Sequence, residues 1–338
     1  MAHRTDWFMR CKWGVNIAFM AVEGESAHGA DIPADRWNRQ VDGFDCEGLA
    51  AQLGELGVGY CFLTLGQNSG HYCSPNPTYD GIVGIAPSKC SRRDLFADLA
   101  AALKPHGVRL MAYLPSGAPA ADKTACEKLD WKWGYAGGWP GGWCDNLRTG
   151  ERLEAFQLKW EAIARDWSER WGDACWGWWI DGCYFADEMY RNPRPPNFRS
   201  FAAALRAGNP DALVAFNPGP KYPMEAHSEH EDYTAGEGSQ HALPLCTGRW
   251  VEYRKHAVQW HTYNWIGPNW GRGDPPRLST ELLVGYTEQV TRNQGVVTWD
   301  VPFDEHGLIR EPYLGMLKRL AVAIPSEHVT PPPTREKE

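Results

Sequence analysis

Val58-Gly-Tyr-Cys-Phe-Leu-Thr-Leu65, then the amphipathic stretch 92–104 closed by Pro105 and Gly107, then Val108-Arg-Leu-Met-Ala-Tyr-Leu114: this succession decides the fold. A short apolar run bounded by breakers reads as a strand buried on both faces, and the helical periodicity between two such runs reads as a crossover helix. Strand, helix, strand in that order is a parallel unit, since an antiparallel pair needs only a tight turn. The alternation extends outward in both directions. Further strand-like runs lie at 13–19, 175–180, 212–216, 257–263 and 295–301, with a weaker, polar one at 232–235. Helical patterns lie at 47–56, 151–171, 197–206, 280–292 and 311–323. About eight repeats predict an α/β fold of (β/α)8 TIM-barrel type, a single domain over residues 1–327. An open doubly wound sheet is disfavoured because no G-x-G-x-x-G and no P-loop occurs. The Pro-rich, charged residues 328–338 read as a disordered tail.

Composition narrows the function classes. The 338 residues include 18 tryptophans, although hydrophobic content of 43% and charged content of 22% are ordinary. A net charge of −8 supplies no basic field for phosphate backbones, so nucleic acid is not an expected partner. No apolar run nears the ~20 residues a bilayer-spanning helix requires, so no membrane partner is expected. The opening residues carry Arg4, Asp6, Arg10 and Lys12 with no apolar leader core, which reads as a cytoplasmic chain. Ten cysteines scattered singly without C-x-x-C read as free structural thiols. Self-association as a homo-oligomer is left open.

In a barrel of this kind the chemistry sits where strands end and the following loops begin. Those positions supply Gln67, Asn68 and His71 after the second strand, Tyr113 at the third, Asp181 after the fourth and Asn217 after the fifth. Glu237 follows the sixth, His261 and Asn264 sit at the seventh, and Asp300 ends the eighth. Two acids stand out. Asp181 closes the run Cys175-Trp-Gly-Trp-Trp-Ile-Asp181-Gly182, where a charge is costly unless it serves a site or is tightly paired. Glu237 lies in Glu231-Asp-Tyr-Thr-Ala-Gly-Glu237-Gly, between glycines that permit a sharp turn.

Two carboxylates across an aromatic-walled cleft suit glycoside hydrolysis, one attacking or activating water while the other protonates the leaving oxygen. A pyranose also accounts for part of the tryptophan surplus, because its C–H face packs on an indole while its hydroxyls need planar donors and acceptors. Most of the 18 are expected to pack the barrel and its helices, with Trp179, two residues before Asp181, and the loop residues Trp139 and Trp143 as wall candidates.

The order of these motifs resembles the α-L-fucosidase family, glycoside hydrolase family 29, from about Trp7 to Leu320. Trp7-Phe8 with Lys12-Trp13-Gly14 is similar to that family's opening strand, and Tyr60-Cys-Phe-Leu-Thr64 to its second. Arg93-Asp94-Leu95 with Gly107-Val-Arg-Leu-Met-Ala-Tyr113 resembles the helix and third strand, and Asn293-Gln-Gly295 through Pro302 and Gly307 the closing strand and loop. Trp179-Ile180-Asp181-Gly182 looks like the segment whose Asp is the nucleophile of a retaining mechanism. Asp232-Tyr-Thr-Ala-Gly-Glu237 resembles the segment that carries the acid/base, with Glu252 in Arg249-Trp-Val-Glu252 as a second acid/base candidate. The resemblance implies a terminal glycosyl substrate and double displacement, with no cofactor and no metal. It departs at the sugar-holding residues. The family's His-Trp-Gly after strand one is Ala18-Phe19-Met20 here, its His-His-Asp-Gly aligns with Gln67-Asn68-Ser69-Gly70, and an arginine after strand five is absent from Phe216-Asn217-Pro218-Gly219. An altered sugar specificity follows.

Two other readings compete. One is a carbohydrate-binding barrel without turnover. The other is a metal-dependent hydrolase using His227 and His230, although an H-x-x-H on a polar loop is a weak metal signal. Arg272 and Arg277 offer charge to an acidic sugar, against the ordinary role of solvated loop arginines.

Overall fold

The computed structural model describes residues 3–21, 31–132, 151–239 and 245–327. Among the described residues nine strands form in chain order: β1 (Trp13–Ile17), β2 (Tyr60–Thr64), β3 (Arg109–Pro115), β4 (Cys175–Asp181), β5 (Leu213–Phe216), β6 (Trp250–Tyr253), β7 (His256–Gln259), β8 (His261–Trp265) and β9 (Val296–Asp300). Seven of them make one curled parallel sheet in the order β5-β4-β3-β2-β1-β9-β8, and β6 and β7 pair separately as an antiparallel hairpin.

The helices form where periodicity, caps and breakers agree. Asp94 accepts from Ala97 N at 3.1 Å to start the helix Leu95–Leu103, and Asp45 accepts from Gly48 N at 2.8 Å to start Cys46–Leu56. Gly57 and Gly107 take left-handed backbone angles after those helical segments, a conformation glycine adopts without steric penalty. The expected helix at 280–292 is found over Thr280–Arg292, and that at 151–171 over Glu154–Trp171.

Two apolar layers result. Between sheet and helices the long helix contributes Trp160, Trp167 and Trp171, whose indole N–H groups reach Pro115 O, Pro75 O and the Asp94 carboxylate. Trp171 stacks on Phe96 at 3.9 Å and on Trp178 at 5.8 Å. Much of the tryptophan surplus is thus packing, as expected. Inside the curl, Tyr60, Phe62, Met111, Tyr113, Trp179, Leu213, Ala215, Tyr233, Ala235 and Tyr263 fill the interior, and Phe8 plugs one end against Tyr60, Tyr233 and His261. The nine described cysteines are buried and free.

The expectation of a regular eight-stranded closed barrel needs correction. The sixth position is occupied by the extended segment 232–238, which bonds on both sides without making a regular ladder. Asp232 N donates to Val214 O on β5 at 2.8 Å, Thr234 N to Gln259 O at 3.0 Å, and Gly238 N to Tyr263 O at 2.7 Å. Gly236 is the physical reason. It has a positive φ of 63°, and a Cβ there would lie 2.0 Å from His261 O, so the backbones touch more closely than a ladder with side chains permits. The seventh strand also differs: residues 257–259 belong to the hairpin, and the sheet strand begins at His261.

Candidate active site

Strand alternation selects the site residues. Successive side chains point to opposite faces, so the interior residues Trp179, Ala215, Ala235 and Tyr263 fix which partners point the same way two residues on. Asp181, Asn217 and Glu237 are those residues, one step above the packed interior. The registers agree: Trp179 pairs with Ala215, and Glu237 bridges to Tyr263.

Asn217 joins the two acids. Its Nδ2 donates to Asp181 Oδ1 and to Glu237 Oε2, each at 2.8 Å, while its Oδ1 accepts from Gly219 N at 3.0 Å. The nearest oxygens of the two carboxyl groups are therefore no farther apart than twice 2.8 Å. Phe216 N, just before Asn217, donates to the buried Glu231 carboxylate at 2.9 Å, which anchors this strand end.

The two acids differ in their support. Asp181 also accepts from the Tyr113 hydroxyl, from Gln67 Nε2 at 3.4 Å and from the Tyr184 hydroxyl at 3.2 Å. Gln67 Nε2 in turn donates to Tyr113 Oη at 2.7 Å. Glu237 receives the Asn217 bond. Burial first, and then the Asp181 charge beside it, push the Glu237 carboxyl well above the usual carboxylate range. Among the described residues neither acid has an ion-pair partner. Two like charges held this close favour one ionised and one protonated carboxyl, and the carboxyl pushed upward is that of Glu237.

The other sequence candidates fall into separate environments. Trp179 is only 2% exposed; its Nε1 bonds Ala235 O at 2.9 Å, and its ring stacks on Tyr113 at 5.0 Å. It therefore lies behind the acids as a support and does not wall the cleft. Asp300 is fully buried and accepts from Asn16 Nδ2 at 2.6 Å, from Tyr263 Oη at 3.2 Å and from Gly271 N. Burial raises its carboxyl to about 7. His261 starts β8 instead of ending a strand, and its ring nitrogens are engaged by Thr234 O and Thr298 Oγ1, each at 2.8 Å. Burial lowers its imidazole to about 3, so it stays neutral. His71 is likewise buried, bonded to Ile32 O at 2.9 Å and Ser69 Oγ at 3.3 Å. Asn68 is half-buried, and its carbonyl accepts from Ala121 N at 2.9 Å. Asn264 points away from the Tyr263 face and contacts Tyr286 and Arg277. Glu252 is exposed on the β6–β7 hairpin opposite Ala257, apart from the Asp181–Asn217–Glu237 cluster. Trp139 and Trp143 lie outside the described residues.

Tyr184, Tyr263, Asn16 and Trp270 went unselected in the sequence. Trp270 is half-buried on the turn after β8 and packs on Tyr263 at 4.9 Å and Trp265 at 4.4 Å. Tyr263 and Asn16 were detectable by carrying the two-residue alternation through each strand; Trp270 depends on a loop path that local pattern does not encode. Of the metal reading, His227 Nδ1 contacts the Arg191 guanidinium at 2.9 Å. Among the described residues no three His, Cys, Asp or Glu side chains gather as a metal site, and no helix is long and apolar enough to cross a membrane.

No protein-family model matches the chain, and no curated protein sequence does. Solved structures do match in fold. An endo-fucoidan hydrolase from glycoside hydrolase family 107 is similar over 95% of this chain and 93% of its own, at 15% identity and a TM-score of 0.71. The α-L-fucosidase isoenzyme 1 from Paenibacillus thiaminolyticus covers 94% of this chain and 74% of its own, at 15% identity and 0.63. The α-L-fucosidase AlfC from Lactobacillus casei, in complex with α-L-fucose product, covers 94% and 98%, at 16% identity and 0.61. At these identities the likeness is one of fold: a curled parallel α/β sheet that this chain shares with structures of fucose-acting glycoside hydrolases.

Proposed function

We propose that the chain is a retaining, exo-acting glycoside hydrolase that resembles α-L-fucosidases and removes a terminal glycosyl residue with altered sugar specificity. One observation carries the reading: a single amide bonds both Asp181 and Glu237 at 2.8 Å. The nearest oxygens of the two carboxyl groups, at most twice 2.8 Å apart, suit the close placement of nucleophile and acid in retaining enzymes, whose carboxyl groups stand ~5–5.5 Å apart.

In the proposed mechanism the ionised Asp181 attacks the anomeric carbon as protonated Glu237 gives its proton to the leaving oxygen. A glycosyl ester on Asp181 forms and the glycosidic bond breaks. Glu237, now ionised, takes a proton from water as that water displaces Asp181, which restores both groups. The raised proton affinity of Glu237 suits an acid that must remain protonated near neutral pH. Tyr113, Gln67 and Asn217, expected from sequence as sugar contacts, serve Asp181 in the free protein; this supports a role in holding the nucleophile ionised. The absence of the family's histidines around them supports a sugar other than fucose.

The test is a panel of 4-nitrophenyl glycosides, the α-L-fucoside included, with wild-type protein and Asp181→Ala. Nitrophenolate release from at least one sugar is expected, falling about 10⁴-fold or more in the variant. Release unaffected by Asp181→Ala would sink the nucleophile assignment, and silence on every sugar would favour a carbohydrate-binding barrel without turnover.

A further inference from the structure

The amide of Asn217 stands between two acids that must be in opposite protonation states for the first step and must exchange roles for the second. It has two hydrogens, and each is given to one acid at 2.8 Å. Its carbonyl accepts from Gly219 N at 3.0 Å, so the amide cannot turn over without breaking that hydrogen bond. Gly219 has a positive φ of 83°, and Tyr184 lies 3.2 Å from where its Cβ would be, which seats the Asn217 loop against the same tyrosine that bonds Asp181.

Resting on the assignment of Asp181 and Glu237 above, we propose that Asn217 is the positioning residue that keeps the acid pair at its working separation and donates to whichever of the two is ionised. In the resting pair the stronger of its bonds goes to Asp181. Once Asp181 is a glycosyl ester and Glu237 has lost its proton, the stronger bond goes to Glu237, with no movement of the amide. Among the described residues, the titratable groups that face the pair are Tyr113 from β3, Tyr184 after β4 and Tyr263 from β8, with Asp300 of β9 beyond Tyr263. All are neutral or acidic. A neutral donor is thus the group that tempers repulsion between the two carboxyls without binding either so tightly that it cannot change state.

An amide that donates to Glu237 favours its ionised form, so its removal has a signature in pH. Asn217→Ala should lower kcat/KM by one to two orders of magnitude and move the basic limb of its pH profile to higher pH. Asn217→Asp keeps an oxygen for Gly219 N but replaces the donor with a third carboxyl oxygen; it should show the same displacement of the basic limb, or a larger one. A merely structural residue gives a different result, with Asn217→Asp active and the basic limb where the wild type has it, and that would overturn the proposal. So would failure of both variants to fold, read by circular dichroism, because Asn217 would then be a keystone of the loop. The outcome is separable from the assignment it rests on. If Asp181→Ala and Glu237→Gln remain active, the acid pair is wrong; if they are dead while the Asn217 profiles are unmoved, only this inference fails.

Discussion

At the scale of single residues, the site is defined by an imbalance. Among the described residues Asp181 has donors from Tyr113, Gln67, Tyr184 and Asn217, whereas Glu237 has the one from Asn217. Tyr113→Phe removes a charged hydrogen bond of the kind worth about 1.5–3 kcal/mol, so kcat/KM at its optimum should fall about tenfold or more. An unchanged kcat/KM would show that Tyr113 does not support Asp181. Glu237→Gln should abolish the basic limb together with most activity on substrates with poor leaving groups. The same substitution changes stability. Because the folded protein raises the proton affinity of Glu237, ionising it costs the fold more than the unfolded chain. That cost is absent below the ordinary carboxyl value of ~4.3 and grows to completion as pH passes the raised folded value. Glu237→Gln should therefore have a higher Tm than wild type at pH 9 and the same Tm at pH 4, measured by calorimetry. The reverse order would contradict the environment assigned to Glu237. Asp181 was legible in sequence because a charge ended an apolar strand. The function of its neighbours was not: nothing local tells whether Asn217 meets a sugar or an acid.

Among the elements, the segment 232–238 is the one that matters most, since it carries Glu237 into the gap between β5 and β8. Its backbone approach to β8 depends on Gly236. Gly236→Ala sets a methyl 2.0 Å from His261 O at a positive φ, so a loss of roughly 3 kcal/mol of stability is expected, with activity falling further than the fraction unfolded accounts for. Denaturant melts and activity at matched folded fraction decide this; an unchanged midpoint would contradict the close approach. The sequence foretold a weak, polar strand here and its glycines, yet not that scattered bonds on either side would replace a regular ladder. It also placed the seventh strand at 257–263, where the hairpin Trp250–Tyr253 with His256–Gln259 intervenes and displaces the sheet strand to His261–Trp265. Both shortfalls have one cause. Apolar pattern specifies which residues are buried, whereas pairing partners are set by contacts distant along the chain.

For the molecule as a whole, the curled sheet is a frame whose interior is filled by aromatic rings and whose strand ends are free to carry chemistry. The alternation of strands and helices made that frame legible, and the two-residue phase running through Trp179, Ala215 and Ala235 leads directly to Asp181, Asn217 and Glu237. Fold likeness to glycoside hydrolases at 15–16% identity does not transmit an activity. The claim of catalysis therefore stands on the paired acids, and the stereochemistry of the reaction probes them directly. On a nitrophenyl glycoside that the protein cleaves, proton NMR of the first-formed sugar, recorded before mutarotation, should show the anomeric configuration of the substrate. First-formed product of opposite configuration would mean that water attacks in a single displacement, and would contradict Asp181 as a nucleophile held beside its acid by Asn217.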